Sequence, residues 1–198
     1  MNKFIPSLAL PVILLAIPSA GASEFAGSYF GLKAGGNRPI YNDSAASNNA
    51  FANLSGVETR NTPAFGLEGG RNWDLNGYLL GANLFFDSSK KAAHSMAVSG
   101  VPATVNSGGA AYGLGLKLGL PSDEWLPYAK LGYGKGKTNS GFEVGGNGAH
   151  AGAGIEYKLS SGLSLVSEMT TQFADGTGAR FRNNNFSIGL TARPKLRP

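Results

Sequence analysis

The 198-residue chain contains no cysteine, only two histidines and no acidic cluster. Without cysteine, neither a disulfide framework nor a lipid-modified N-terminal cysteine is available. Two histidines without neighbouring carboxylates do not make a metal-ligand set, so we predict no metal and no cofactor. The formal net charge of +5 is mild and is not gathered into a basic stripe, which argues against a nucleic-acid partner.

Long hydrophobic runs are also lacking beyond the N-terminus, so no later segment is predicted to cross a membrane as a helix. The N-terminal run, Phe4 to Ile17, is short, follows Lys3 and precedes the small-residue sequence Ala20-Gly21-Ala22. These are the features of a cleaved export signal. We predict a signal peptide at residues 1–22 and one domain at residues 23–198.

Strict alternation organises the rest of the chain. From Tyr112 to Gly134, two segments joined by a turn at residues 121–124 carry mainly Leu, Ala and Tyr on one face and mainly Gly and Lys on the other. A period of two is typical of a β-strand. In a soluble lipocalin-type barrel the leucines would point inwards, whereas in an outer-membrane barrel they would face lipid. Alternate glycines favour the membrane barrel, because a narrow lumen admits long charged side chains only beside very small neighbours.

Eight such segments follow one another, and their connections alternate between long and short. They are Ser28–Gly36, Ala64–Trp73, Tyr78–Asp87, Tyr112–Leu120, Trp125–Gly134, Gly148–Leu159, Leu163–Phe173 and Phe186–Ala192. Residues 37–61 are too polar to bury a core and are predicted to be a mobile loop, and residues 88–108 form a second long polar connection. The predicted fold is all-β, an eight-stranded antiparallel up-and-down transmembrane β-barrel with short periplasmic turns and long outer loops.

Six charged residues fall on the lumen side in this register, three of each sign, and are predicted to form an ion-pair network. They are Lys33, Glu68, Lys117, Lys130, Glu156 and Glu168. The opposite orientation would expose them to lipid, where one lysine at the midplane costs about 2–4 kcal/mol. Arg71 is left on the lipid side beside Trp73, and Leu79 and Phe85 fall on the polar side against the pattern.

Two further groups of residues are expected at the short-turn end. Aromatic residues there are predicted to form a periplasmic girdle: Tyr29, Trp73, Tyr78, Trp125, Tyr128 and Tyr157. Three cations near the C-terminus, Arg193, Lys195 and Arg197, are expected to form a solvated tail.

No catalytic site is predicted. His94 and Ser95 follow Asp87 in a long connection, but adjacent side chains seldom share the hydrogen bond that activates a nucleophile. His150 faces the lumen, where membership of a polar network is the ordinary explanation.

Cations near the outer rim are candidates for pairing with lipopolysaccharide phosphates: Lys90, Lys91, Lys135, Lys137, Arg180 and Arg182.

With these residues placed, the chain resembles the small outer-membrane β-barrel family, the OmpA-like transmembrane domain. The similar pieces are residues 27–35, 80–84, 127–134, 154–157 and 163–165, which together span nearly the whole of the predicted domain. The resemblance implies a closed barrel plugged by ion pairs, which is inserted by the barrel-assembly machinery. The family's last strand usually ends in an aromatic residue, whereas this chain has Ala192 and Arg193 there.

The predicted function is that of a non-enzymatic integral protein of the Gram-negative outer membrane. It would support envelope integrity and take part in surface interactions through its outer loops. Its predicted partners are outer-membrane lipid and lipopolysaccharide, with an extracellular ligand of the loops as a further candidate. A narrow ion or solute channel and a lipid A-modifying enzyme are the alternatives.

Overall fold

Eight long antiparallel strands close into a barrel, which confirms the predicted fold. The computed structural model describes residues 22–42, 54–55, 61–98, 101–138, 145–176 and 179–194. Its elements are α1 (Ala22–Phe25), β1 (Gly27–Asn42), β2 (Leu54–Ser55), β3 (Thr62–Asp74), β4 (Leu79–Ser89), β5 (Ala92–Val98), β6 (Val101–Ser107), β7 (Gly109–Gly119), β8 (Trp125–Thr138), β9 (Gly145–Ser160), β10 (Leu163–Gly176) and β11 (Ala179–Ala192). The predicted signal peptide lies outside the described residues except for Ala22.

The strands follow one another around the barrel in the order β1, β11, β10, β9, β8, β7, β4, β3. The first and last strands close it, from the pair Phe30 and Ala192 at the short-turn end to the pair Asn42 and Arg180 at the other end. Short turns join β3 to β4, β7 to β8 and β9 to β10. In the last of these, Gly162 has a φ of 94°, a conformation that L side chains rarely adopt.

All four predicted long connections contain strand residues. β8 and β9 extend into the third connection, β10 and β11 extend into the fourth, and the first two contain the segments that follow. Residues 37–42 extend β1, and β5 and β6 form a hairpin that pairs with β2 in a separate three-stranded sheet. The loop prediction rested on polarity, but a hairpin outside the barrel has no core to fill and is held by its backbone hydrogen bonds. These strands place structured backbone beyond the long-connection end of the barrel.

Most large hydrophobic side chains of the barrel wall face outwards, and most buried lumen side chains are polar or ionic. Leu84, Leu114 and Leu131 are 64%, 66% and 69% exposed, whereas Lys117 and Lys130 are each 2% exposed. This distribution is the reverse of a soluble barrel, so the outer surface is suited to hydrocarbon. Among the described residues, no helix is long and apolar enough to cross a membrane.

The predicted aromatic girdle is only partly correct. Trp73, Tyr78 and Trp125 are exposed at the short-turn end. Tyr29 and Tyr128 are instead buried in the lumen, because alternation within β1 and β8 turns their side chains inwards. Tyr157 is half-exposed and packs against Trp125, with 4.4 Å between the ring centroids.

Leu79 and Phe85 point into the lumen, as alternation predicts, and each has a local reason to be there. Leu79 is fully buried and packs in an apolar cluster at the short-turn end. Phe85 lies flat against His150, with ring centroids 4.5 Å apart. Space for the Phe85 ring comes from Gly113, where an added Cβ would lie 2.9 Å from Phe85 Cζ.

We expect Gly113→Val to lower the free energy of unfolding by about 1–3 kcal/mol, the usual cost of overpacking. The new Cβ would lie 2.7 Å from the Cα atom of Gly134 on the neighbouring strand, so backbone would have to move. Urea unfolding in phospholipid vesicles measures the change.

Gly36→Val is the control, because Gly36 lies on the outward face and an added Cβ there meets no atom of the described chain within 4 Å. Equal stability of the two variants would contradict the close packing of β7 against β8.

Candidate functional site in the barrel lumen

Four charged side chains from four strands meet in the lumen and alternate in sign. Lys33 Nζ lies 3.2 Å from Glu68 Oε2 and 2.7 Å from Glu168 Oε1. Lys130 Nζ contacts the same two carboxylates, Glu68 Oε2 and, at 3.0 Å, Glu168 Oε2. Each ion therefore has two partners of the opposite sign. We call these four residues the charge ring.

Two tyrosines complete the charge ring. Tyr29 Oη donates a hydrogen bond to Glu68 and Tyr128 Oη donates one to Glu168, both at 2.7 Å. Buried carboxylates need such donors, because removing an ion from water is costly unless its oxygens are satisfied. The two rings also make cation–π contacts with Lys117. Its Nζ atom lies 4.7 Å from the Tyr29 ring centroid and 4.4 Å from the Tyr128 ring centroid.

A second ion group lies on the short-turn side of the charge ring. Lys117 Nζ is 3.1 Å from Glu156 Oε1, and Arg193 pairs with the other oxygen of Glu156. The Arg193 guanidinium also donates to Ser164 Oγ at 2.9 Å and to the Phe25 carbonyl at 3.2 Å. Arg193 therefore ties the C-terminal end of the barrel to the N-terminal segment.

The prediction that Arg193 belongs to a solvated tail is wrong. Its backbone N–H donates to the Gly162 carbonyl at 2.7 Å, so strand geometry continues one residue past β11. Alternation then turns Arg193 inwards on the same side as Thr191. Lys195 and Arg197, the other members of that predicted tail, lie outside the described residues.

With Asp87 included, the described lumen contains equal numbers of acidic and basic side chains. Asp87 lines the outer part of the lumen, where its Oδ1 atom is buried. Counted with the two ion groups, the described lumen holds four cations and four anions: Lys33, Lys117, Lys130 and Arg193 with Glu68, Glu156, Glu168 and Asp87. Asp87 and Arg193 were not among the predicted lumen charges, although extending the alternation of β4 and β11 would have placed both inside.

An apolar cluster closes the short-turn end beneath the second ion group. Phe25 from α1 packs there with Leu79, Leu126, Tyr128 and Val166. Asn72 Nδ2 donates to the Phe25 carbonyl at 2.9 Å and holds this segment in the barrel mouth. We call this cluster the stopper.

The outer part of the lumen is a small polar cup of about 30 Å³. Buried polar atoms without a hydrogen-bond partner among the described residues belong to six of its side chains: Asn37, Asp87, His150, Gln172, Asn183 and Asn185. A space of this size and polarity suits one or two water molecules. The cup is therefore the part of the described lumen with room for water.

The described residues bring together no nucleophile and base. Neither ring nitrogen of His150 has a hydrogen-bond partner among them, so no hydroxyl is activated there. Ser89 Oγ, which lines the same cup, is bonded to the backbone of Gly109. His94 lies on β5, but its side chain is outside the described residues. In the described ranges no three His, Asp or Glu side chains are placed to hold a metal ion.

The predicted rim cations divide into two groups on different sides of the barrel. Lys90 and Lys91 follow β4, and Lys135 lies on β8, two strands away around the barrel. Arg182 lies on β11 and places its guanidinium 5.7 Å from the Phe173 ring centroid. These four side chains are exposed, whereas those of Lys137 and Arg180 lie outside the described residues.

Solved structures of similar fold are small outer-membrane barrels. Neisserial surface protein A matches with a TM-score of 0.60 and 11% identity, covering 85% of this chain and 98% of that one. OprG from Pseudomonas aeruginosa matches with a TM-score of 0.55 and 11% identity, covering 84% of this chain and 95% of that one. Ail of Yersinia pestis matches with a TM-score of 0.50 and 13% identity, covering 84% of this chain and 98% of that one. At these identities the likeness shows the fold alone.

No curated protein sequence gives a significant match. The family model described as outer membrane protein beta-barrel domain matches residues 7–193, which is most of the chain. This match agrees with the outward leucines and the paired ions of the lumen. The chain therefore belongs to the outer membrane protein beta-barrel domain family and is a β-barrel of the Gram-negative outer membrane.

Proposed function

We propose that this barrel is a sealed, non-enzymatic membrane anchor that supports envelope integrity and presents its outer segments for surface interactions. The observation that carries the proposal is the filled lumen. Going from the outer cup towards the periplasm, a solute would meet the charge ring, the second ion group and then the stopper. Export by residues 1–22 and insertion by the barrel-assembly machinery are part of the same proposal.

A channel would need a continuous polar path, and the lumen contacts argue against one. The four ions of the charge ring are held by contacts from both sides, so none is free to swing aside without losing a partner. Below them, the fully buried side chains of Phe25, Leu79 and Leu126 leave the short-turn end apolar. An ion crossing this layer would lose its hydration with nothing to replace it.

We expect the wild-type barrel to give no conductance steps in planar bilayers, with an open porin as the positive control for insertion. Steps that appear in the wild type and change on Lys117→Glu would contradict the sealed barrel and favour the channel.

We expect Lys130→Met to lower the free energy of unfolding by about 3–5 kcal/mol, because two buried carboxylates would then share Lys33 alone. Lys130→Met combined with Glu68→Gln should cost less than the single change, since it removes a negative charge together with the positive one. Urea unfolding in phospholipid vesicles compares the variants.

Lys158→Met is the control. Its ion pair with Glu24, at 3.2 Å, is partly exposed and should contribute less than about 1 kcal/mol. A Lys130→Met loss as small as that of the control would show that the charge ring does not hold the barrel together.

The rim cations support contact with lipopolysaccharide. Lys135 stands on the outward face of β8 above Tyr133 and Leu131, where lipid hydrocarbon gives way to phosphorylated sugar. An ammonium at this level can pair with phosphate without leaving the membrane surface. Ail of Yersinia pestis was solved with the heparin analogue sucrose octasulfate, so a barrel of similar shape binds a polyanion.

We expect Lys135→Gln to weaken lipopolysaccharide binding roughly fivefold, the effect of about 1 kcal/mol per surface cation. Binding is measured with purified barrel in nanodiscs, and Lys158→Gln at the opposite end is the charge-matched control. Equal losses in both variants would mean that only net charge matters, which would contradict a rim contact. Repeating the titration with heparin separates a general polyanion surface from one that prefers lipopolysaccharide.

A further inference from the structure

The outward face of the barrel is not uniformly bulky. Across β3, β4, β7 and β8 it contains a groove of about 790 Å³ whose lining is mostly apolar. Small residues, Gly69 on β3 and Ala82 on β4, form its low part, and the long side chains of Leu84, Leu114 and Leu131 rise around them. In a membrane, such a depression is filled by an acyl chain or by another protein.

One end of this groove carries a positive charge. Arg71 lines it next to Trp73 and lies three residues before the end of β3, so about 10 Å from the periplasmic turn at 3.3 Å per residue. The side chain is exposed and points away from the lumen. A guanidinium at this depth can extend to the interface, where it meets the phosphate of an inner-leaflet lipid.

We propose that the groove binds one phospholipid of the inner leaflet, with its phosphate on Arg71 and an acyl chain over Gly69 and Ala82. Arginine suits this role because its planar fork can donate two hydrogen bonds to a phosphate. The proposal is independent of the sealed lumen, since every group it uses lies on the outer face. It assigns a function to the charged side chain that the lumen network leaves out.

A second copy of the chain is the competing occupant, and the lining argues against it. A symmetric dimer brings the same patch of both subunits together, so the two Arg71 side chains would approach each other. Among the described residues, the groove lining contains no acidic side chain that could neutralise them. Lipopolysaccharide is also disfavoured, because its phosphates lie at the opposite membrane surface from the turn that follows β3.

Native mass spectrometry of the full-length barrel, released from nanodiscs of phosphatidylethanolamine and phosphatidylglycerol, tests the proposal. We expect the wild type to retain one phospholipid, and Arg71→Gln to reduce the retained fraction about tenfold. Gly69→Leu should reduce it similarly by filling the groove. An added Cβ at Gly69 is open apart from the Tyr29 carbonyl at 3.8 Å, so the barrel should still fold.

Two controls are matched to these variants. Gly36→Leu adds the same side chain on the outward face elsewhere, and Lys158→Gln removes a cation at the same end of the barrel. Both should retain lipid as the wild type does, and migration of the unboiled barrel on gels checks folding in all four.

Three results would overturn the proposal. The first is equal lipid retention in Arg71→Gln, Gly69→Leu and the wild type. The second is a dimer that persists when lipid is added and that Gly69→Leu dissociates, which would assign the groove to self-association. The third is retention of lipopolysaccharide, offered in the same nanodiscs, with the Arg71 dependence expected for phospholipid.

Discussion

The pairing of buried ions inside a cylinder surrounded by hydrocarbon is the constraint on which this structure depends. Water cannot screen these charges, so an ion without a partner would cost several kcal/mol. The described lumen meets the requirement with equal numbers of cations and anions, and most of them contact more than one partner. Asp87 differs because it lines the cup, where water can reach it.

Space for these ions comes from the glycines beside them. Lys33 pairs across the sheet with Gly66 on one side and Gly189 on the other. An added Cβ at Gly66 would lie 3.3 Å from Lys33 Cε, and one at Gly189 would lie 2.8 Å from Lys33 Cγ. The lysine stem can therefore cross the lumen only because both neighbours lack side chains. Glycine and lysine alternate in the sequence because the lumen needs small residues beside each lysine. That alternation is therefore a direct sequence signal of the inner face.

What the sequence predicted correctly followed from the period of two within each strand. The eight antiparallel strands and their closure into a barrel depend on local alternation. In the structure the buried side chains of Lys33, Glu68 and Lys130 follow the same alternation. The errors arose where alternation continues past an apparent end. Arg193 follows the last apolar residue of β11 and reads as a charged tail, yet a backbone hydrogen bond to Gly162 keeps it in the strand.

The misplaced tyrosines show a different limit. Alternation within β1 and β8 places Tyr29 and Tyr128 on the lumen side, whereas their position near strand ends favours an interfacial girdle. The two criteria disagreed, and only the partners decide between them. Each hydroxyl reaches a carboxylate on another strand, 39 or 40 residues away in sequence. No local pattern contains such a contact, so the geometry of the charge ring could not be predicted from the sequence.

The two ends of the barrel are built on different principles, and the difference bears on function. At the short-turn end, Phe25, Asn72 and Arg193 join both ends of the described chain to the barrel wall, and the apolar stopper fills the barrel mouth. At the other end the lumen is polar, and β5 and β6 continue as a separate hairpin. The contacts of the filled base lie at the opposite end of the strands from the outer segments. We therefore expect sequence change in those segments to have little effect on the ion pairs of the lumen.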